Sequence, residues 1–206
     1  NAAIEVVGIN DSGSTAPNAH LLKFDSTHGI LPQNIVVKDD TIDAGQGPVR
    51  VTAERDPANL PWKKLDVDIA LECTGFFASK EKASAHLTAG AKRVIVSAPA
   101  SGADITVVFG VNSDQITDDH LIISNASCTT NCLAPVAYVL NKAVGIKRGF
   151  MTTIHAFTGD QRTVDTLHED LHRARTASSS IIPTSTGAAK AVGLVLPELN
   201  GKLDGT

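Results

Sequence analysis

The chain has 206 residues, 42% of them hydrophobic, enough to bury a sizeable core in one or two domains. Its 22 acidic and 18 basic residues leave a net charge of −4, which argues against a nucleic-acid or membrane surface. The apolar run over residues 105–111 includes Thr106 and is too short to span a bilayer, and three cysteines without a paired framework suit a reducing compartment.

Residues 2–11 read as a strand ending at Asp11, with no initiating Met. A dinucleotide-binding fold carries a glycine-rich turn about 20 residues before such an acid. None precedes Asp11, so the sequence reads as a fragment that opens in mid-fold. Strands and helices then alternate, which predicts a mostly parallel α/β sheet. The clearest unit is a strand over 69–73, a helix over 79–89 and a strand over 93–97. Ser79 is placed to cap that helix, Glu81 lies in its first turn, and Gly90 follows its end. Short buried strands are predicted at 107–111 and 121–123, and Pro57, Pro61 and Pro99 mark loops.

Ile122-Ile123-Ser124 ends a strand, and Leu133, Val136, Leu140 and Val144 then recur at helical spacing from Cys128 onward. Pro135 removes one backbone donor and predicts a kink or an irregular early turn. Residues 150–154 form another strand candidate, closed by His155. Residues 160–182 are a long polar stretch with helical character only over 168–175, and loops of that length tend to be functional. A last helix covers 188–196, and residues 201–206 stop without closing an element, so the fragment reads as cut at both ends.

The run Ser124-Asn125-Ala126-Ser127-Cys128-Thr129-Thr130-Asn131-Cys132 carries the chemistry. It puts Cys128 at a helix N-terminus, where backbone N–H groups and the helix dipole favour a thiolate. His155, 27 residues on, closes the next strand and is placed to act as base toward the sulfur. A nucleophile with a base is the signature of covalent catalysis at a carbonyl. Taken singly, a cysteine is more often a small buried hydrophobe and a histidine a satisfied structural group. Cys132 fits that plainer description, and its spacing from Cys128 matches neither a C-x-x-C redox motif nor a zinc half-site.

That run resembles glyceraldehyde-3-phosphate dehydrogenase, as do residues 153–162 (TIHAFTGDQR), Arg173-Ala174-Arg175 and residues 181–190 (IIPTSTGAAK). Gly8-Ile9-Asn10-Asp11, residues 20–25 (HLLKFD), Cys73-Thr74-Gly75-Phe76 and Val96-Ser97-Ala98-Pro99 agree, so the resemblance covers essentially the whole chain. It implies an α/β protein: an incomplete Rossmann-like dinucleotide-binding domain over 1–127, then an incomplete α+β catalytic domain over 128–206.

The implied activity is NAD(P)-dependent, phosphorylating oxidation of D-glyceraldehyde 3-phosphate to 1,3-bisphosphoglycerate. It would serve glycolysis, gluconeogenesis or the Calvin cycle. Cys128 would form the thiohemiacetal and thioester, and His155 would take the proton. Thr158 and Asp160 belong by resemblance to the substrate-phosphate site. Ser127, Thr129, Arg173, Thr186 and Gly187 belong to the site for inorganic phosphate. A carboxylate repels phosphate, so Asp160 is expected to orient an arginine. From the residues alone, Thr158-Gly159-Asp160 is an ordinary turn and Thr186-Gly187 a helix cap.

Asp11, Arg55 and Ser97 match cofactor-contacting positions. Asp11 favours NAD, while the small polar Ser12 and Thr166 leave room for the 2′-phosphate of NADP. No metal is implied. The long polar loop would reach a neighbouring subunit in a homotetramer, and the location would be cytoplasmic, with a plastid left open. Three alternatives stand: a Cys/His acyl-transfer enzyme without a redox step, a relative acting on erythrose 4-phosphate, and a non-catalytic remnant.

Overall fold

The computed structural model describes residues 4–206; Ala2 and Ala3, where the expected opening strand begins, lie outside them. The chain forms two compact units. The first takes the described residues up to Val96, with Ala100–Asp104 and Asp119–Ile123; the second takes Ser97–Pro99, Ile105–Asp118 and Ser124–Thr206.

The first unit opens with β1 (Gly8–Asn10), α1 (Thr15–Lys23) and a small antiparallel pair, β2 (Phe24–Asp25) and β3 (Gly29–Ile30). It continues through β4 (Val36–Lys38), β5 (Thr41–Asp43) and β6 (Pro48–Thr52). These four form one sheet in the order β1-β6-β5-β4. β1 is shorter than the expected strand because its parallel pairing with β6 covers only Gly8–Asn10 against Arg50–Thr52. β4, β5 and β6 run antiparallel, so this sheet is mixed rather than mostly parallel. Turn chemistry explains the reversals. Asp39 takes φ +51 between Lys38 and Thr41, and Asp43 Oδ1 accepts from the N–H groups of Gly45 and Gly47.

The expected strand–helix–strand unit is present as β7 (Ile69–Glu72), α2 (Lys80–Thr88) and β8 (Arg93–Val96), with β7 and β8 parallel. Ser79 Oγ accepts from Lys82 N–H, Glu81 lies in the first turn, and Gly90 follows the C-cap at φ +109. Leu60, Trp62, Val67, Ala70, Ala89 and Ala91 make the core beneath. One polar chain is buried there too. Trp62 Nε1–H donates to His86 Nδ1 (3.0 Å), which leaves the ring proton on Nε2, and Nε2–H donates to Glu72 Oε2 (2.8 Å). Glu72 Oε1 accepts from the backbone N–H and the hydroxyl of Thr74.

The second unit contains β9 (Ile105–Thr106), α3 (Cys128–Val144), β11 (Gly149–Met151), α4 (Ala188–Val195) and β12 (Leu203–Gly205); β10 (Ile122–Ser124) leads into it. The strand expected over 107–111 is not formed. Val107 and Val108 are buried, but Asn112 Oδ1 accepts from Val108 N–H and Gly110 turns at φ +75, leaving Phe109 exposed. The strand expected over 150–154 begins at Gly149 and ends at Met151, although the hydrogen bonding continues through Thr206 N–H to Met151 C=O and Thr153 N–H to Thr206 C=O.

α3 runs unbroken past Pro135. Its buried residues are Thr130, Ala134 and Ala137, and Leu133 packs against the same core; Val136, Leu140 and Val144 are exposed, so most of the larger apolar residues that reveal the helix do not face the core. Small side chains let α4 approach closely, with Val192, Val195, Leu196 and Leu199 completing the cluster. Residues 152–187 contain no helix or strand; the predicted helical character over 168–175 reduces to turns, such as Ala174 N–H to Asp170 C=O. Among the described residues no helix is long and apolar enough to cross a membrane.

Candidate active site

Cys128 is the first residue of α3, delivered by a tightly held strand-to-helix turn. Ser124, fully buried at the end of β10, donates from Oγ to Ala98 C=O (2.9 Å) and accepts from Ala126 N–H (3.2 Å). Ala126 sits at φ +57, a left-handed conformation that a residue bearing a Cβ adopts only at a cost. Asn131 Nδ2 closes the turn by donating to Asn125 C=O (2.6 Å) and Ser127 C=O (3.0 Å). The result is an exposed thiol beside first-turn N–H groups that have no intrahelical acceptor. Such groups suit a developing oxyanion. Cys132, expected to pack or lie idle, is exposed as well.

Ser127 caps α3: its Oγ accepts from Thr130 N–H (3.0 Å) and lies 2.7 Å from Thr130 Oγ1. Thr130 is fully buried and reaches Ala188 C=O (3.4 Å), which ties the start of α3 to the start of α4. There Thr186 Oγ1 accepts from Ala188 N–H (3.1 Å), with Gly187 as N-cap. Two helix N-termini therefore converge, carrying Ser127, Thr129, Thr186 and Gly187, and both favour an anion. Sequence reasoning missed Thr130 and Asn131 as supports. Their signal is present as two short polar residues inside the first helical turn, where apolar periodicity carries no information.

Arg173 joins this network. Its Nη2–H donates to Ser185 C=O (3.3 Å), Nε–H to Thr184 Oγ1 (2.7 Å) and Nη1–H to Asp160 Oδ2 (2.6 Å). The expectation that Asp160 orients an arginine is met, and the arginine is Arg173. Thr158 and Asp160 lie in the expected turn, with Gln161 N–H donating to Thr158 C=O (3.1 Å) and Asp160 N–H to Thr158 Oγ1 (3.3 Å). The turn borders an open depression of about 430 Å³ lined by Phe157, Thr158, Gly159, Gln161, Arg162 and Thr163. Arg162 Nε is buried there without a hydrogen-bond partner among the described residues.

His155 is exposed, four residues past the end of β11. Its Nδ1 lies 2.6 Å from Ala156 C=O, an acceptor only, so Nδ1 carries the proton and Nε2 keeps the lone pair a base needs. Among the described residues no hydrogen bond joins His155 to Cys128. In the first unit, Asp11 follows β1, where ligands of parallel sheets bind. Its Oδ1 accepts from Gly13 N–H (3.2 Å) and Ser12 Oγ–H (3.3 Å). Oδ2 has no partner among the described residues, so the group fits a pair of ribose hydroxyls. Arg55 and Ser97 are exposed, Ser97 directly after β8.

Comparison with known proteins agrees across both units. The family model for the glyceraldehyde 3-phosphate dehydrogenase NAD binding domain matches residues 1–80, and that for the C-terminal domain matches residues 127–206. The chain is 70% identical to glyceraldehyde-3-phosphate dehydrogenase of Xanthobacter flavus over 98% of its own length and 61% of the relative's. It is 65% identical to that of Cereibacter sphaeroides (98% of this chain, 60% of the relative). Identity to that of Zymomonas mobilis is 61% (100% of this chain, 61% of the relative). The chain thus spans about three fifths of these curated relatives.

Proposed function

The chain belongs to the glyceraldehyde-3-phosphate dehydrogenase family, and on that premise we propose that the intact protein oxidises and phosphorylates D-glyceraldehyde 3-phosphate. The observation that carries this reading is the continuous bonding from the Cys128 turn through Thr130 to the start of α4 and on to Arg173. It links the helix start that carries the thiol to donors suited to an anion, as an acyl-transfer step to phosphate requires.

NAD, when bound, supplies the electron acceptor. Cys128 Sγ attacks the aldehyde carbon, and first-turn N–H groups stabilise the oxygen as charge develops. His155 Nε2 takes the hydroxyl proton as the thiohemiacetal is oxidised to a thioester. Inorganic phosphate, held by Arg173 and the two helix N-termini, attacks the acyl carbon, and Cys128 leaves as thiolate. Thr158 serves the substrate phosphate, and Asp160, expected by resemblance at the same site, pairs with Arg173 of the inorganic-phosphate site. Asp11 Oδ2 takes the ribose hydroxyls, with Arg55 and Ser97 as further contacts, and its charge ranks NAD ahead of NADP. We place the boundary between dinucleotide and catalytic domains at Cys128, a placement supported by the C-terminal family match from residue 127. A homotetramer in the cytoplasm is the accompanying expectation.

The test is NADH formation from glyceraldehyde 3-phosphate by the intact protein, with and without inorganic phosphate. Steady turnover that needs phosphate supports the proposal. Cys128→Ser should abolish it, and His155→Asn should slow it by about 10²- to 10⁴-fold. Turnover that persists in Cys128→Ser would overturn the assignment.

A further inference from the structure

Arg173 is gripped on several sides. Besides Asp160, Thr184 and Ser185, the carboxylate of Asp170 lies 3.4 Å from its Nε. A guanidinium has five N–H donors; three are engaged here, leaving one on each Nη for a bidentate anion. That geometry depends on Asp160 holding still, yet its side chain is 50% exposed.

His168 supplies what Asp160 lacks. Its side chain is only 17% exposed, and its Nε2 lies 3.7 Å from Asp160 Oδ1, the oxygen that Arg173 does not use. His168 Nδ1 accepts the backbone N–H of Asp170 at 3.0 Å, which puts the ring proton on Nε2. One imidazole thus holds the backbone of Asp170 and lies beside the carboxylate of Asp160, the two residues whose carboxylates flank Arg173. Asp170 is held charged as well: above all the backbone N–H of His172 keeps its carboxyl below the ordinary range.

From this geometry we infer that His168 is a positioning residue that fixes Asp160 and Asp170 and so aims Arg173 at inorganic phosphate. The inference rests on reading Arg173 as a phosphate ligand. His168 itself touches no reactant. Its side chain sets the orientation of the arginine, and its loss should weaken phosphate binding while leaving the chemistry at Cys128 intact.

The experiment uses the intact protein with His168→Ala and His168→Gln, the latter retaining a donor toward Asp160. Binding of inorganic phosphate is measured by calorimetry, and the NADH burst is followed without phosphate. His168→Ala should bind phosphate about 3- to 10-fold more weakly, the worth of one polar contact, with an unchanged burst. His168→Gln should stay within about twofold of wild type. Equal phosphate affinity in His168→Ala overturns the inference, as does a Gln variant as weak as the Ala variant. A wild type that forms no NADH while His168→Ala still weakens phosphate binding sinks the proposed activity and leaves the inference standing. Normal NADH formation with unresponsive phosphate affinity does the reverse.

Discussion

Glu72 shows how much a single side chain can commit. It is 3% exposed at the end of β7 and accepts from His86 and from both donors of Thr74. Burial is the largest influence on it and would raise its pKa, but those bonds outweigh burial and hold the carboxyl below its ordinary value. A lowered folded-state pKa contributes stability that is complete above the unfolded value, about 4.3, and is lost as pH falls through the folded one. Glu72→Gln should therefore cost about 1–3 kcal/mol at pH 7, because its amide sets a donor against a donor. Its further loss of stability on acidification should be smaller than that of the wild type. Urea unfolding at pH 7 and pH 3.5 checks both; an equal acid loss in the variant would exclude Glu72 as a contributor. At this scale the position of Cys128 at a helix start was legible because it follows from residue chemistry, and the pairing of Asp160 with an arginine because a carboxylate placed by resemblance beside phosphate needs one. The Trp62–His86–Glu72 chain was not, since it joins residues 10 to 24 apart that carry no shared motif.

Elements whose signals are local came through intact. α2 has its cap, its acidic first turn and its terminal glycine where the sequence put them. Gly90 is needed there twice over: φ is +109, and an added Cβ would lie 2.5 Å from Lys63 Cβ and 2.7 Å from Lys63 Cα. Gly90→Ala should destabilise by about 2–4 kcal/mol through backbone strain and overlap. Thermal melting reads this directly, and an unchanged midpoint would mean that the Lys63 segment moves aside at no cost. Elements that depend on a partner came through less well. The β-branched Thr152, Thr153 and Ile154 extend the strand pattern past Met151, but strand length is set by what pairs with it, and β12 matches only Gly149–Met151. In α3 periodicity found the helix but not its buried side, which is chosen by the small residues that α4 can approach.

For the molecule as a whole, the long loop over 160–182 leaves large apolar side chains uncovered, with Leu167 94% and Leu171 80% exposed beside Val164 and Ile181. Exposed apolar surface of this kind is suited to a contact with another protein, which is what the proposed homotetramer would place here. Leu167→Asp with Leu171→Asp should shift the intact protein to smaller species in light scattering; an unchanged mass would place the subunit contact elsewhere. By itself the sequence determined the alternating α/β plan, the helix start at Cys128 and the family, because these rest on short-range patterns and on specific residues. Only the tertiary structure decided which face of α3 is buried and that Thr130 ties two helix N-termini together. It also decided which arginine Asp160 holds. Those outcomes depend on contacts that no local repeat specifies, 58 residues apart between Thr130 and Ala188 and 13 apart between Asp160 and Arg173, where packing distance rather than local propensity selects the partner.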